Sequence, residues 1–309
     1  MRIFVTGASG WIGSGVVPEL LGAGHEVVGL ARSDASAAQL EAAGALVQRG
    51  DLDDPAGLAK AAADSDGVIH LAFQHDVAFA QGDFAAAAAA DRRAVEAMGA
   101  ALAESDRPIV LASGMLGMKA GRVATEDDGL VPSEQARGNP AVRRAATALF
   151  TLSLAGTGVR SSVLRYPPTV HGDGDHGFVA TFVAIARAHG VSAYVGDGDN
   201  RWPAVHRSDA ARLTRLAVEA APSGSVLHAV GDEGVAFRAI AEAIGHHLGV
   251  PTTSLSAAEA VAHFGPLGHF AGLDSPATAT ITRELLGWEP TGPTLLDDLD
   301  VEHYYRVPE

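Results

Sequence analysis

The sequence contains no cysteine, and this absence excludes several kinds of chemistry at once. Without thiols the chain cannot form disulfides, use a thiolate nucleophile, hold an iron–sulfur cluster or ligate zinc through sulfur. Basic residues are also scarce, because 22 lysines and arginines face 37 aspartates and glutamates, for a formal net charge of −15. That charge repels nucleic-acid phosphates and anionic membrane surfaces. We therefore expect neither partner, and the chemistry must depend on other side chains or on a cofactor.

Long hydrophobic runs are missing as well. The longest strongly apolar stretch, at 108–118, is far shorter than the roughly 20 residues that a membrane-spanning helix needs. The first residues, MRIFVTG, lack the regions of a signal peptide. Together with the lack of cysteine, this pattern predicts a cytoplasmic protein. Hydrophobic residues still make up 47% of the 309 residues, enough for the core of one large domain, alone or with a smaller one.

Short β-branched runs alternate with helical stretches through the first half of the chain. Strands are predicted at 2–6, 26–31, 45–49, 67–71 and 108–112, and helices at 11–22, 35–43, 55–63 and 83–103. Nearly all-apolar strands separated by helices are typical of a parallel sheet that is covered on both faces. The sequence therefore predicts an α/β fold with a doubly wound parallel sheet.

The second half continues this alternation with interruptions. Further helices are predicted at 140–155, 209–221, 237–248 and 275–286, and strands at 159–165 and 225–230. Glycine-rich turns at 171–177 and 196–200 and a loop at 263–270 interrupt the pattern. We assign residues 1–170 to a dinucleotide-binding domain to which residues 203–235 return. Residues 171–202 and 236–309 are assigned to a small C-terminal substrate lobe at the open edge of the sheet.

The segment TGASGWIG, at 6–13, follows the first strand and opens the first helix. Gly7 allows a tight turn, Gly10 lets the backbone approach a pyrophosphate, and Gly13 permits close packing of the helix on the strand. The N-terminus of the helix supplies oriented N–H groups. The segment therefore predicts a dinucleotide-binding loop.

Further segments follow the later strands: GDLDD at 50–54, HLA at 70–72, LASG at 111–114 and RYPPTVHG at 165–172. Together with the glycine spacing, they resemble the extended short-chain dehydrogenase/reductase family, of the NAD-dependent epimerase/dehydratase type, from residue 1 to about residue 221. The resemblance implies a Rossmann-type domain and an NAD(P)-dependent oxidoreductase. The cofactor-binding residues that it implies are Gly7, Ser9, Gly10, Trp11, Ile12 and Gly13 in the loop, Asp51 and Leu52 beside the adenine, Leu71, Ala72 and Phe73 on the ribose side, and Tyr166 with Pro167 to Val170 near the nicotinamide carboxamide.

The end of the second strand, VVGLARSD, indicates which nicotinamide cofactor is bound. An NAD site places a carboxylate there for the ribose 2′-hydroxyl, whereas a 2′-phosphate needs cations or hydroxyls. The chain offers Arg32 and Ser33 at this point, with Asp34 displaced into the following turn. Because the planar fork of arginine suits phosphate, the sequence predicts NADP(H). The alternative is that Arg32 is a solvated surface residue.

The Tyr-x-x-x-Lys motif of the family is absent. The tyrosines stand at 166, 194, 304 and 305 and the lysines at 60 and 119, so no tyrosine has a lysine four residues later. Ser113 lies at the family's catalytic serine or threonine, and counting forward from it brings Asn139 and Arg143 to the tyrosine and lysine positions. Such a pair resembles the atypical subgroups of the family. Arg143 would bind the ribose and supply positive charge, and Asn139 would donate a hydrogen bond.

In the family that the sequence resembles, the tyrosine of this motif donates a proton to the substrate. A different proton donor is therefore expected in this chain. The candidates are Tyr166, His171, His176 and an ordered water held by Ser113 and Asn139. His171 takes the place of the family's usual tyrosine after the sixth strand, and its ordinary pKa of about 6.5 suits acid–base chemistry. The alternatives are a solvated loop histidine, and for Tyr166 a residue that packs on the nicotinamide.

No metal site is expected. The histidines and aspartates of the turn at 171–177 resemble a metal cluster, but oxygen-rich turns of this kind are usually plain loops. A homodimer is expected, because family members pair the helices that correspond to 83–103 and 140–155 here.

Function remains open between two classes. We favour an NADPH-dependent reductase that delivers a hydride to a small or medium, largely apolar carbonyl or imine substrate, since Ser113 and Arg143 would have no purpose in a scaffold. A sugar-type epimerase or dehydratase is a second possibility among enzymes. The other class is a non-catalytic NADP(H)-binding sensor or scaffold. Apolar residues in the loops expected to surround the substrate indicate a hydrophobic ligand: Phe73, Phe79, Met115, Met118, Phe178, Trp202, Phe264 and Phe270.

Overall fold

The computed structural model describes residues 1–116, 118, 121–129 and 140–306. The strands are β1 (Arg2–Thr6), β2 (Glu26–Ala31), β3 (Leu46–Arg49), β4 (Gly67–His70), β5 (Pro108–Gly114), β6 (Arg160–Tyr166), β7 (Thr169–His171), β8 (Ser192–Val195), β9 (Arg201–His206), β10 (Ser225–His228), β11 (Asp232–Ala236) and β12 (Thr252–Leu255). The helices are α1 (Gly13–Gly22), α2 (Asp34–Ala42), α3 (Pro55–Ala63), α4 (Phe84–Ala101), α5 (Pro140–Ser153), α6 (Phe178–His189), α7 (Arg207–Ala220), α8 (Phe237–Leu248), α9 (Ala257–Phe264), α10 (Gly268–Ala271), α11 (Thr280–Leu286) and α12 (Leu295–Leu299). One π-helical turn, Asp76–Ala80, follows β4.

A parallel sheet of seven strands, in the order β10-β6-β5-β4-β1-β2-β3, organises the larger part of the fold. Its central strand β1 is apolar on both sides: Ile3 and Val5 belong to one buried cluster and Phe4 to another. All three side chains are fully buried. Since successive residues of a strand point to opposite faces, helices must cover both faces of the sheet. This confirms the doubly wound α/β fold that the sequence predicts.

The strand order creates a crevice at the carboxyl ends of β1 and β4. From β1 the chain proceeds to β2 and β3 on one side, and it then crosses to β4 on the other side of β1. Connections therefore leave β1 and β4 in opposite directions. Open α/β sheets bind ligands at such a switch point.

A third buried cluster, formed by residues between 178 and 305, lies outside the seven-stranded sheet. Its centre is aromatic: the Phe237 ring lies 5.1 Å from Phe182 and 5.2 Å from Trp202. Trp202 is fully buried and Phe264 is 5% exposed, so both are core residues of this cluster. Met115 is likewise buried, in the core beneath the sheet. The prediction that these three side chains line a substrate pocket is wrong, because they are buried by packing against other parts of the fold.

Two segments of the C-terminal third differ from the sequence prediction. The helix predicted at 275–286 begins only at Thr280, because the preceding residues are extended: the Ala124 amide donates to the Pro276 carbonyl and the Thr278 amide donates to the Ala124 carbonyl. The loop predicted at 263–270 consists instead of the end of α9, a 3₁₀ turn and α10. No helix in the described part of the chain is long and apolar enough to cross a membrane.

Candidate active site

The glycine loop fits a dinucleotide pyrophosphate. Gly7 has φ +69°, and a Cβ there would lie 2.7 Å from the Ala72 amide nitrogen. At Gly13 a Cβ would lie 2.1 Å from the Gly7 carbonyl oxygen. Neither position has room for a side chain, so the loop holds the start of α1 tightly against the ends of β1 and β4. The N-terminus of α1 then borders the crevice, where the helix dipole would stabilise an anion.

Trp11 joins this loop to the segment after β6. Its indole Nε1 donates to the Val170 carbonyl at 2.7 Å, and the Arg207 guanidinium lies over its ring at 4.4 Å. The ring of His176 meets it edge-on at 5.7 Å. Two segments that the resemblance assigns to neighbouring parts of the cofactor, the pyrophosphate loop and the carboxamide turn, are therefore in direct contact.

At the end of β2, Arg32 projects into solvent with 68% of its side chain exposed, and its Nη1 donates to Asp76 Oδ2 at 3.2 Å. Ser33 caps α2: its hydroxyl accepts from the Ser36 amide while the Ser36 hydroxyl accepts from the Ser33 amide. Arg49, at the end of β3, donates to the Ser33 carbonyl. The sequence analysis identified Arg32 and Ser33 but missed Asp76 and Arg49, which only the folded chain brings beside them.

The residues expected near the adenine differ in burial. Asp51 is exposed, and its carboxylate accepts from the Asp53 amide at 2.8 Å. Leu52 is 6% exposed and belongs to the buried cluster that contains Phe4, on the opposite face of the sheet from Met115. Ala72 and Phe73 lie at the end of β4, where the Ala72 amide donates to the Thr6 hydroxyl at 3.3 Å. This end of β4 is therefore bonded directly to the end of β1.

Ser113 is the penultimate residue of β5, which extends two residues beyond the predicted strand. The Arg144 guanidinium lies close to it: Nη2 donates to the Ala112 carbonyl at 3.4 Å, and the group stacks over the Phe73 ring at 4.2 Å. Burial lowers the pKa of Arg144, an effect that the Asp91 carboxylate opposes. Arg143, the residue that the count selected, is exposed. Asn139 lies outside the described residues.

The difference between the two arginines follows from helix geometry. Adjacent residues on a helix point about 100° apart, so Arg143 and Arg144 project from different faces of α5. The two arginines are adjacent in the sequence, and no sequence signal indicates which of them faces the site. Arg144 is the one that the fold brings to the ends of β4 and β5.

A buried polar network lies beneath the same crevice. The Thr6 hydroxyl and His70 Nδ1 are 2.6 Å apart, and His70 Nε2 lies 3.2 Å from Asp91 Oδ1. No more than 1% of any of these three residues is exposed. The Asp91 carboxylate thus brings negative charge into the interior, next to the Arg144 cation. Asp91 is an aspartate within the alanine-rich helix α4, and this contrast was the signal from which the network could have been predicted. The sequence analysis did not identify Asp91.

His75 is a further residue that the sequence analysis missed. It follows β4, and its ring lies edge-on to Phe73 at 5.2 Å, on the same aromatic ring that Arg144 covers. Desolvation lowers its pKa, and the positive charge of Arg144 lowers it further. The imidazole is therefore neutral at physiological pH and able to accept a proton.

The proton donors proposed from the sequence have different surroundings. His171 is fully buried, its Nδ1 lies 2.8 Å from Asp298 Oδ2, and the ring of His206 covers it at 5.4 Å. The Tyr166 hydroxyl pairs with the Thr214 hydroxyl at 2.7 Å, and burial raises its pKa. His176 is exposed. A donor role for His171 stays a prediction. The burial of its side chain and its contact with the Asp298 carboxylate indicate a structural role.

Among the described residues, no group of three or more histidine, aspartate or glutamate side chains could hold a metal ion. Charge at the site comes instead from arginine and aspartate. The arrangement offers a cradle for a pyrophosphate, an exposed cation beside β2, and a cation with a neutral imidazole beside β4 and β5. Such a set can bind a dinucleotide and move a proton.

Comparison with known proteins agrees with this arrangement. The model of the NAD dependent epimerase/dehydratase family matches residues 3–229. The uncharacterized protein C2A9.02 of Schizosaccharomyces pombe is 46% identical over 306 residues, which cover 99% of this chain and 100% of that protein. The uncharacterized protein YLL056C of Saccharomyces cerevisiae is 44% identical over 301 residues, covering 97% and 98% of the two chains.

Solved structures share the fold at lower identity. UDP-glucose 4-epimerase of Thermotoga maritima, solved with UDP-glucose, superposes with a TM-score of 0.77 at 21% identity and with coverage of 99% and 98%. The dTDP-glucose 4,6-dehydratase DesIV of Streptomyces venezuelae, solved with NAD, gives a TM-score of 0.76 at 22% identity and with coverage of 97% and 95%.

Proposed function

Since this chain belongs to the NAD dependent epimerase/dehydratase family, we propose that it is an enzyme that binds NADP(H) and catalyses a hydride-transfer reaction on a small molecule. The observation that carries the proposal is the position of Arg144 and Phe73 beside Ser113, at the carboxyl ends of β4 and β5 and next to the glycine loop. A bound nicotinamide supplies the hydride chemistry. The residues of the chain bind and orient it and transfer protons.

Among reaction types, we place a sugar-type epimerase or dehydratase reaction ahead of the carbonyl or imine reductase that the sequence favoured. Family membership supports this order. The neutral imidazole of His75 supports it too, because a reaction that begins by oxidising a hydroxyl needs a base near the reacting carbon. The apolar side chains at the site, such as Phe73, affect substrate binding. They do not indicate the direction of hydride transfer.

Cofactor binding is assigned to three groups. The loop at Gly7 to Gly13 holds the pyrophosphate through the N–H groups at the start of α1. Arg32 binds the 2′-phosphate, since the Ser33 hydroxyl is engaged in capping α2. Arg144 provides positive charge and hydrogen-bond donors on the ribose side, the role that the sequence analysis gave to Arg143.

Proton transfer is assigned to Ser113 and His75. The Ser113 hydroxyl donates a hydrogen bond to the substrate oxygen and stabilises the charge that develops there. When the substrate hydroxyl is oxidised, its carbon loses a hydride and its O–H proton passes to His75. Arg144 cannot take part in this transfer, because a guanidinium does not release its proton at neutral pH; its charge assists the loss of the proton.

A non-catalytic sensor is the second candidate. The absence of any tyrosine with a lysine four residues later favours it, because the family resemblance assigns proton transfer to that pair. Binding of NADP(H) without turnover of any substrate class would support this candidate.

Assays with two arms separate the candidates. Purified protein is incubated with NADPH and a panel of carbonyls and imines, and separately with NADP⁺ and sugar nucleotides such as UDP-glucose. Net NADPH consumption indicates a reductase, whereas a rearranged or dehydrated sugar without net cofactor change indicates an epimerase or dehydratase. Ser113→Ala should lower turnover by at least about tenfold. Ser105→Ala, whose hydroxyl donates to the Leu102 carbonyl away from the site, is the matched control and should retain activity.

A further inference from the structure

The ion pair between Arg32 and Asp76 lies across the crevice. Arg32 directly follows β2, and Asp76 opens the π-helical turn after β4. Strand β1, which ends in the glycine loop, lies between β2 and β4 in the sheet. A bond from the residue after β2 to the segment after β4 must therefore pass over the carboxyl end of β1, where the dinucleotide is proposed to bind.

We propose that Asp76 is a selectivity residue, whose carboxylate competes with the 2′-phosphate of NADP(H) for the guanidinium of Arg32. This inference rests on the proposed function, in which the protein binds NADP(H) through Arg32. The ion pair neutralises Arg32 and holds the turn at 76–80 against the β2 side of the crevice. When a 2′-phosphate arrives, Arg32 changes partner.

Electrostatics determines the direction of this exchange. The pair is solvent-exposed, with 68% of the Arg32 side chain and 51% of the Asp76 side chain accessible, and exposed pairs of this kind are weak. A phosphate carries more negative charge than a carboxylate and offers three acceptor oxygens, so it displaces Asp76. The displaced carboxylate then remains near the phosphate, and the repulsion between them weakens NADPH binding. For NADH, which has no 2′-phosphate, Asp76 causes no such repulsion and a carboxylate near the ribose can accept from the 2′-hydroxyl.

The exchange also reaches the active end of the crevice. The turn at 76–80 packs through Ala78 on Phe73, with Val77 and Phe84 beside them. Phe73 in turn carries the Arg144 guanidinium on its ring. Release of Asp76 from Arg32 therefore loosens a segment in direct contact with the aromatic ring that supports Arg144.

Calorimetric titration of the cofactor-free protein tests the inference without an assay of turnover. Asp76→Asn should bind NADPH and the fragment 2′,5′-ADP about three- to tenfold more tightly than the wild type, and the gain should shrink as salt rises. NADH binding should not become tighter. In the Arg32→Ala background the gain in NADPH affinity from the same substitution should be smaller, because competition for Arg32 is gone and only the repulsion between Asp76 and the phosphate is relieved. Asp64→Asn removes an equally exposed carboxylate, paired with Lys60 on α3, and should leave both affinities unchanged.

The outcomes separate this inference from the cofactor proposal. If the wild type binds NADPH tightly but Asp76→Asn shifts NADPH and NADH equally, or shifts neither, Asp76 is not a selectivity residue and the cofactor proposal stands. The same holds if Asp64→Asn matches the effect of Asp76→Asn. If the wild type binds NADH and not NADPH, both proposals are overturned. Asp76→Ser serves as a second variant in case the asparagine alters the π-helical turn, and thermal unfolding of each variant monitors the fold.

Discussion

At the scale of single residues, the site depends on which of two adjacent arginines faces the crevice. Arg144 stacks on Phe73 and donates to the Ala112 carbonyl, while Arg143 is exposed. The Asp91 carboxylate in the interior balances the charge of Arg144. A pair of arginines so close in sequence and so different in surroundings allows a direct comparison by mutation.

We expect Arg144→Ala to lower kcat/KM by at least about tenfold, because a positioned donor and its positive charge are lost near the reacting atoms. It should also lower the stability of the fold, since the buried Asp91 charge loses its compensation. Arg143→Ala is the matched control: it should change activity by no more than about twofold and the free energy of unfolding by no more than about half a kcal/mol. Steady-state kinetics measure the activity, and urea unfolding measures the stability. Equal losses for the two variants, or a larger loss for Arg143→Ala, would return the role to Arg143.

His75 makes a prediction about pH. Its pKa is lowered by desolvation and by Arg144, so protonation of this base requires a more acidic pH than that of an ordinary histidine. Activity should therefore be constant near neutrality and decline on the acidic side at a pH lower than an ordinary histidine would give. His75→Asn should lower turnover and remove that acidic decline. His25→Gln, which alters a histidine paired with Glu219 near the opposite end of the sheet, should leave the pH profile intact. An unchanged acidic limb in His75→Asn would exclude His75 as the base.

At the scale of secondary-structure elements, a polar cluster fastens the C-terminal segment to the strand after the proposed carboxamide turn. His171 of β7 pairs with Asp298 of α12, and His303 Nε2 lies 3.6 Å from the other carboxylate oxygen. The Tyr304 hydroxyl donates to Asp175 at 2.9 Å. Because α12 and the turn after it come last in the described chain, these bonds hold the C-terminal segment against the loop that borders the site.

A structural role for His171 and a role as proton donor predict different effects of mutation on stability and turnover. His171→Phe leaves the buried Asp298 carboxylate with only the more distant His303, so we expect a loss of about 3 kcal/mol in the free energy of unfolding. Activity per folded molecule should fall much less, and the acidic limb of its pH profile should survive. Chemical denaturation and kinetics on the same preparation measure both. A sharp loss of turnover with a changed acidic limb and unchanged stability would instead identify His171 as the proton donor.

At the scale of the whole molecule, α4 and α5 pack side by side and form the surface proposed for a homodimer. Arg92 of α4 joins them, with its guanidinium 3.7 Å from the centre of the Phe150 ring and its Nη1 donating to the Ala146 carbonyl. Small exposed residues, including Ala146, leave room for another subunit to approach closely.

Light scattering at micromolar concentration should therefore give the mass of a dimer. Ala146→Arg adds length and charge in the middle of the proposed surface and should produce monomers. Ala220→Arg makes the same change at an exposed position at the end of α7 and should leave the mass unchanged. A monomeric wild type, or a dimer that survives Ala146→Arg, would contradict this assignment.

The sequence by itself determined the order of the sheet strands and their connecting helices in the first half of the chain, and the position of the glycine loop. Those features depend on local signals: a continuous apolar run that defines β1, a positive φ that Gly7 accommodates easily, and a helix that starts directly after the loop. Each signal lies within a few residues of the feature it specifies. The glycine loop and the family resemblance can therefore be recognised from the amino-acid sequence alone.

Only the tertiary structure decided which side chains meet. Arg32 and Asp76 are 44 residues apart in sequence, and His171 and Asp298 are 127 residues apart. Periodicity gives each element a buried face and an exposed face, but it does not state which faces pack together or which of two neighbouring arginines turns inward. It also cannot tell an aromatic core residue such as Trp202 from one that lines a pocket, because both are apolar residues that must leave water. Which partner each of them finds depends on how distant segments pack, and that is a property of the whole chain.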